Sequence, residues 1–199
     1  VLASLLAQTA DFVRPDFDWH ALAPELVLVG TIVLCLLVDV FTTEQSRWTA
    51  SSIAGIGMLA ALVPIFTLAY DNTDRVLFGG AFVIDDFSLV LSGLFLVAGY
   101  LTILLSTNYI AEGDYAEGEY YLMILSAVFG MVIMASARDL IGIFIALEML
   151  SIPAYLVAGW RKRTLTGNEA GMKYYLMGVF ATAVMLYGMS LIFGGTGST

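Results

Sequence analysis

The sequence predicts an all-α polytopic membrane protein, with about six transmembrane helices and a short β-hairpin between helices 2 and 3. Three observations predict it. Of the 199 residues 60% are apolar and only 13% charged, whereas a soluble domain keeps roughly a quarter of its residues charged to face water. Mean hydropathy is +0.90. The apolar residues also fall in blocks of the ~20 residues that cross a bilayer as helix. Helix is the expected form of each block because lipid offers no partner to backbone N–H and C=O groups. Barrel strands would be shorter and would alternate. Residues 1–199 are expected to be one membrane domain.

In chain order, residues 1–10 are apolar but too few to span, and they lack the basic region of a secretory signal. Val1 in place of Met fits a start that was processed or lies outside this sequence. The expected spans are 22–41, 49–70, 87–107, 119–137, 140–160 and 168–193. Between the second and third, Arg75-Val-Leu-Phe, Gly79-Gly80 and Ala81-Phe-Val-Ile84 place two β-prone runs around a Gly-Gly pair, the pattern of a hairpin at the membrane surface. The loop 112–119 is acidic. Arg138-Asp139 is all that separates spans four and five, so these form a tight helical hairpin. No linker, low-complexity tract or internal repeat stands out.

Arg161-Lys162-Arg163, after span five, is the one cluster of cations. Positive loops stay cytoplasmic. Loops after odd-numbered spans then face inward, and the N-terminus and the hairpin face outward.

Composition excludes several function classes. A net charge of −9 argues against nucleic acid as a partner, because phosphate binding needs clustered cations. One cysteine, Cys35, permits no intrachain disulfide and no thiol-ligated cluster. His20 is the sole histidine, which argues against a haem or a histidine-ligated metal in this chain.

The chemistry falls on two charged residues within spans. Glu148 lies eight positions beyond Leu140, ~12 Å along a helix and close to mid-membrane. A charge there costs ~3 kcal/mol on insertion scales, so such residues face the protein interior or a wet path. A buried carboxyl exchanges a proton near neutral pH. A structural glutamate bonded to a neighbouring helix is the alternative. Pro153, five residues on, removes one backbone hydrogen bond, loosening the helix beside that carboxyl.

Lys173 is the second. In Asn168-Glu169-Ala-Gly-Met-Lys173-Tyr-Tyr, Asn168 is a candidate N-cap, and Glu169 precedes Lys173 by four, the favourable order for an ion pair. Lys173 is either a proton-path cation whose charge Glu148 biases or a lysine snorkelling to the cytoplasmic surface. Glu25 and Asp39 lie near the ends of span one, where solvation is easy. An aromatic belt explains Tyr120, Tyr121, Tyr174 and Tyr175.

The run Glu148-Met-Leu-Ser-Ile-Pro-Ala-Tyr-Leu-Val-Ala-Gly-Trp, a basic loop, then Asn168-Glu-Ala-Gly-Met-Lys-Tyr-Tyr-Leu-Met-Gly resembles the antiporter-like subunits of respiratory complex I. It is most similar to the family of bacterial NADH–quinone oxidoreductase subunit N and mitochondrial subunit 2. The likeness covers the whole chain in layout, and its sharp motifs lie within 140–195.

The resemblance implies that Glu148 matches the fifth-helix glutamate that pairs with a lysine in the proton path. Lys173 would be the sixth-helix lysine on the cytoplasmic side. It implies a proton-translocating subunit of NADH–quinone oxidoreductase in the bacterial inner (plasma) membrane, surrounded by other membrane-arm subunits and the lipid bilayer. Quinone, FMN and iron–sulfur clusters would sit in partner subunits and none in this chain. Family members continue beyond a sixth helix, with a further lysine on a broken seventh helix and a second, inverted repeat. The chain is thus expected to be the N-terminal portion of a longer subunit. Two other readings are a subunit of a multi-subunit sodium/proton antiporter and a purely structural membrane subunit.

Overall fold

The computed structural model describes residues 17–41, 47–71, 74–112 and 117–198. The expectations for residues 1–10, and for residues 113–116 of the acidic loop, lie outside that set. The described elements are α1 (Ala23–Phe41), α2 (Arg47–Asp71), β1 (Arg75–Leu77), β2 (Phe82–Ile84), α3 (Asp86–Glu112), α4 (Glu117–Ser136), α5 (Leu140–Ala158) and α6 (Leu165–Thr196). All six helices are long and apolar enough to cross a membrane. They match the six expected spans to within a few residues, because each block is bounded by charged or turn-forming residues.

Helix α4 is the hub. It packs against α1, α2, α3 and α5, whereas α6 touches α5 alone among the described helices. The core runs along that hub, where Leu28, Met58, Leu96, Ile103, Tyr121, Leu125, Val128 and Val132 are buried. Small residues set the spacing, as they do between membrane helices generally. Gly57 of α2 faces Thr31 of α1, and Gly99 of α3 faces Val128 of α4 and Met58 of α2.

The Gly-Gly signal does mark a hairpin. β1 and β2 pair antiparallel with Arg75 opposite Ile84, Val76 opposite Val83 and Leu77 opposite Phe82. The connecting turn puts Phe78, Gly79 and Gly80 at φ 51°, 69° and 98°, a left-handed run that glycine accepts without steric cost. Asp85 then caps α3. Its carboxylate accepts from the Ser88 amide at 2.8 Å, and its own amide donates to the Ser88 hydroxyl at 2.9 Å.

One face of the bundle gathers the hairpin, the α4–α5 turn and the segment before α1. Phe82 bridges to Ala137, the Arg138 amide donates to the Ala81 carbonyl at 2.8 Å, and Arg138 pairs with Asp85. Ala21, Leu77 and Ile84 form a small apolar cluster beneath. At the opposite face the basic loop folds back. Arg161 donates to the Tyr109 hydroxyl at 2.7 Å, and Lys162 donates to Glu119 at 3.2 Å.

Two sequence expectations are corrected by this packing. Tyr120 and Tyr121 do not form a surface belt. They are 8% and 1% exposed, because α1, α2, α3 and α5 enclose α4. The Tyr120 ring stands edge-on to Trp160, and its hydroxyl bonds Ser106 at 2.9 Å. Asn168 is not the N-cap of the last helix. Thr164 is, its hydroxyl accepting from the Gly167 amide at 3.2 Å, so α6 starts about a turn earlier than expected.

Arg75 ties the hairpin to the segment before α1 through Asp18, and to α2 through Asp71 at 3.1 Å. The guanidinium, helped by the Ala21 and His20 amides, holds the Asp18 carboxyl below its usual range. A depressed carboxylate stabilises the fold fully above its unfolded value of about 3.9, and that contribution is lost as pH falls through the lower folded value. Amide-exchange protection across residues 75–84 is therefore expected to drop below pH ~4. Asp18→Asn should produce the same loss at neutral pH. Equal protection in the variant would show that the ion pair does not anchor the hairpin.

Candidate functional site

Helix α5 begins sharply because Asp139 caps it, accepting from the Gly142 amide at 3.0 Å. Nineteen residues later it ends at Ala158, which places Glu148 at its middle. The Glu148 side chain is partly enclosed. Its Oε1 is sealed from solvent and has no hydrogen-bond partner among the described residues. The bonded structural glutamate, one alternative open to the sequence, finds no support at this oxygen.

Gly130 of α4 lets α4 and α5 approach closely at this level. A β-carbon there would lie 2.7 Å from the Leu150 amide nitrogen, 2.8 Å from the Ala146 carbonyl oxygen and 2.9 Å from the Met149 carbonyl carbon. The two backbones thus meet at the depth of Glu148, on the face of α5 that carries Ala146 and Leu150. Pro153, buried inside α5, has no N–H to give the carbonyl four residues back, that of Met149. A carbonyl without its usual helical donor and a carboxyl oxygen unpartnered among the described residues thus belong to adjacent residues in mid-helix. Both can accept a hydrogen bond from water or from a protonated group.

Lys173 lies eight residues into α6, on a helix with no buried residues. It pairs with Glu169 one turn back, as the spacing predicts, and its side chain is 71% exposed. Among the described residues its charged partner is Glu169, and the structure does not bring it into contact with Glu148. The two helices meet through small residues instead. Gly171 approaches Gly159, and Gly178 receives the Tyr155 hydroxyl. The Tyr155 ring stands edge-on to Tyr174 and Tyr175, at 4.9 Å and 5.9 Å.

Sequence reasoning misplaced Glu25. Solvation was expected at that end of α1, yet its Oε2 is sealed and has no hydrogen-bond partner among the described residues. A spacing of seven hinted at this. Glu25, Ile32 and Asp39 share one stripe of α1, and a β-carbon on Gly118 of α4 would strike the Asp39 carboxylate. The stripe therefore faces the hub. Gly130 and Trp160, whose buried Nε1 also lacks a partner among the described residues, were missed as well.

Residues 137–199 match a family described as NADH:quinone oxidoreductase/Mrp antiporter, TM. The chain is 40% identical over 187 residues to NADH-quinone oxidoreductase subunit N of Chloroflexus aggregans, covering 93% of this chain and 38% of that protein. It is 38% identical to NAD(P)H-quinone oxidoreductase subunit 2 of a Nostoc species, covering 87% of this chain and 33% of that protein. The chain thus spans about a third of the length of these curated relatives.

Among solved structures, respiratory complex I from Thermus thermophilus with bound aureothin contains a chain 31% identical, with a TM-score of 0.73 over 88% of this chain and 37% of that one. An archaeal membrane-bound sulfane sulfur reductase contains one 20% identical, with a TM-score of 0.75 over 89% and 38%. That second likeness is one of fold.

Proposed function

Because the chain belongs to the antiporter-like membrane subunits typified by NADH-quinone oxidoreductase subunit N, we propose that it translocates protons within such a complex, coupling quinone reduction by partner subunits to pumping. The observation that carries the reading is the carboxyl oxygen of Glu148 in mid-helix, sealed from solvent and without a hydrogen-bond partner among the described residues. Residues 1–199 are read as one membrane domain within a longer subunit.

In this reading Glu148 is the proton site at the centre of α5. Lys173 is the exchangeable cation on the side of the basic loop, where its pairing with Glu169 must loosen each time it gives up a proton. With that loop cytoplasmic, the residues before α1 and the β-hairpin face outward. Moving each charge against the membrane potential costs ~2.3 kcal/mol per 100 mV, and this energy must come from redox steps in neighbouring subunits. The antiporter relatives share the family description, but the names of the curated relatives above favour the oxidoreductase.

Purifying the tagged full-length protein from its native membrane tests the assignment. NADH-dependent quinone reductase activity is expected to co-purify, and reconstituted vesicles should take up protons only when NADH is supplied. Sodium/proton exchange without NADH would assign the protein to the antiporters instead.

A further inference from the structure

At the end of the bundle away from the hairpin, α4, α5 and α6 enclose a crevice of about 510 Å³, within the ~300–1,000 Å³ of small-molecule sites. Its walls are apolar and aromatic, including Met123, Tyr155, Leu156 and Met172, and Trp160, Lys162, Asn168 and Glu119 add polar groups. We propose that this crevice binds an anionic membrane phospholipid, its phosphodiester at Lys162 and Trp160 and an acyl chain along Met123, Leu156 and Met172.

Charge and position favour that occupant. The loop supplies three cations in a row, Arg161, Lys162 and Arg163, and Glu119 is the one carboxylate among the described residues of the crevice lining. Lys162 holds that carboxylate at 3.2 Å and lies 5.3 Å above the Trp160 ring. Its side chain is 70% exposed, so it can turn to a phosphate at little cost and uncover the indole as it does so. The indole Nε1 of Trp160, a residue only 8% exposed, has no acceptor among the described residues, and a phosphate or ester oxygen provides one. An apolar body with a polar rim at the end of a helix bundle matches the lipid–water boundary, where tryptophan concentrates, and basic loops there attract anionic headgroups.

Native mass spectrometry of the full-length protein in its complex, delipidated and then offered phosphatidylglycerol or phosphatidylcholine, tests the proposal. One tightly held phosphatidylglycerol is expected. Trp160→Phe, which keeps the ring and removes the donor, should weaken its retention by about tenfold, and so should Lys162→Gln. Met172→Trp fills the crevice from the α6 wall without touching the loop, and should expel the lipid even if Trp160→Phe fails to assemble. Equal retention of phosphatidylcholine would overturn the proposal. So would unchanged binding in the Met172→Trp protein, or a polypeptide segment seated in the crevice of the full-length subunit.

Discussion

Glutamine at position 148 is expected to leave the complex assembled and to cut NADH-driven proton uptake by roughly tenfold or more, the scale on which a proton-transferring group contributes. The change keeps the size and shape of the side chain and removes its ability to ionise. Oε1 of Glu148 has no hydrogen-bond partner in the described residues, so substitution breaks no bond among them. Loss of uptake would then report proton exchange rather than damage.

Glu148→Asp is the control. It keeps the carboxyl but draws it back toward the α5 backbone, and partial uptake is expected. Assembly, quinone reductase rate and proton uptake must be scored together in membrane vesicles. Full uptake in an assembled Glu148→Gln complex would reduce Glu148 to a packing residue. Loss of assembly in both variants would mean the same.

The second large effect is structural. Leucine at Gly130 is expected to abolish accumulation of the subunit in the membrane, and alanine there should destabilise it by about 1–3 kcal/mol, the usual cost of overpacking. The three nearest atoms that a new β-carbon would meet, on Ala146, Met149 and Leu150, all belong to backbone. None can rotate away, so α4 and α5 must separate. Gly178→Ala supplies the contrast. Its β-carbon meets the end of the Tyr155 side chain, which can swing aside, so a milder loss is expected. Quantifying the assembled complex in membranes, with its thermal inactivation temperature, ranks the three variants. If Gly130→Ala proved as stable as the parent protein, α4 and α5 would not be held together at Glu148.

How far the sequence predicted these features depends on the distance over which each is determined. The six spans and the hairpin are local. Apolar blocks end at charges, and Gly79-Gly80 marks the turn, so both could be read directly. Glu148 was found for the same reason, as a charge isolated within an apolar run. The Glu169–Lys173 pair followed from a spacing of four.

The misses all depend on what lies opposite. Tyr120 and Tyr121 look like interfacial tyrosines until α4 is seen to be the enclosed hub. Glu25 looks solvated until its stripe is turned toward that hub. Thr164 and Asn168 are both good capping residues, and local preference does not choose between them. Gly130 was one of 19 glycines, and only the approach of α5 distinguishes it.

The lashing at the hairpin face has a mechanical consequence. The start of α5 is fixed by the Asp139 cap, the Phe82–Ala137 bridge and the Arg138–Asp85 pair. Its far end is held as well, by the Trp160 ring against Tyr120 of α4 and by Arg161 and Lys162 on Tyr109 and Glu119. α5 is therefore pinned at both ends, like a beam on two supports. Any bending is largest at mid-span, beside Glu148, and α6, which among the described helices rests on α5 alone, is carried with it. Pro153 leaves the helix one hydrogen bond short just past that point, and there it yields most easily.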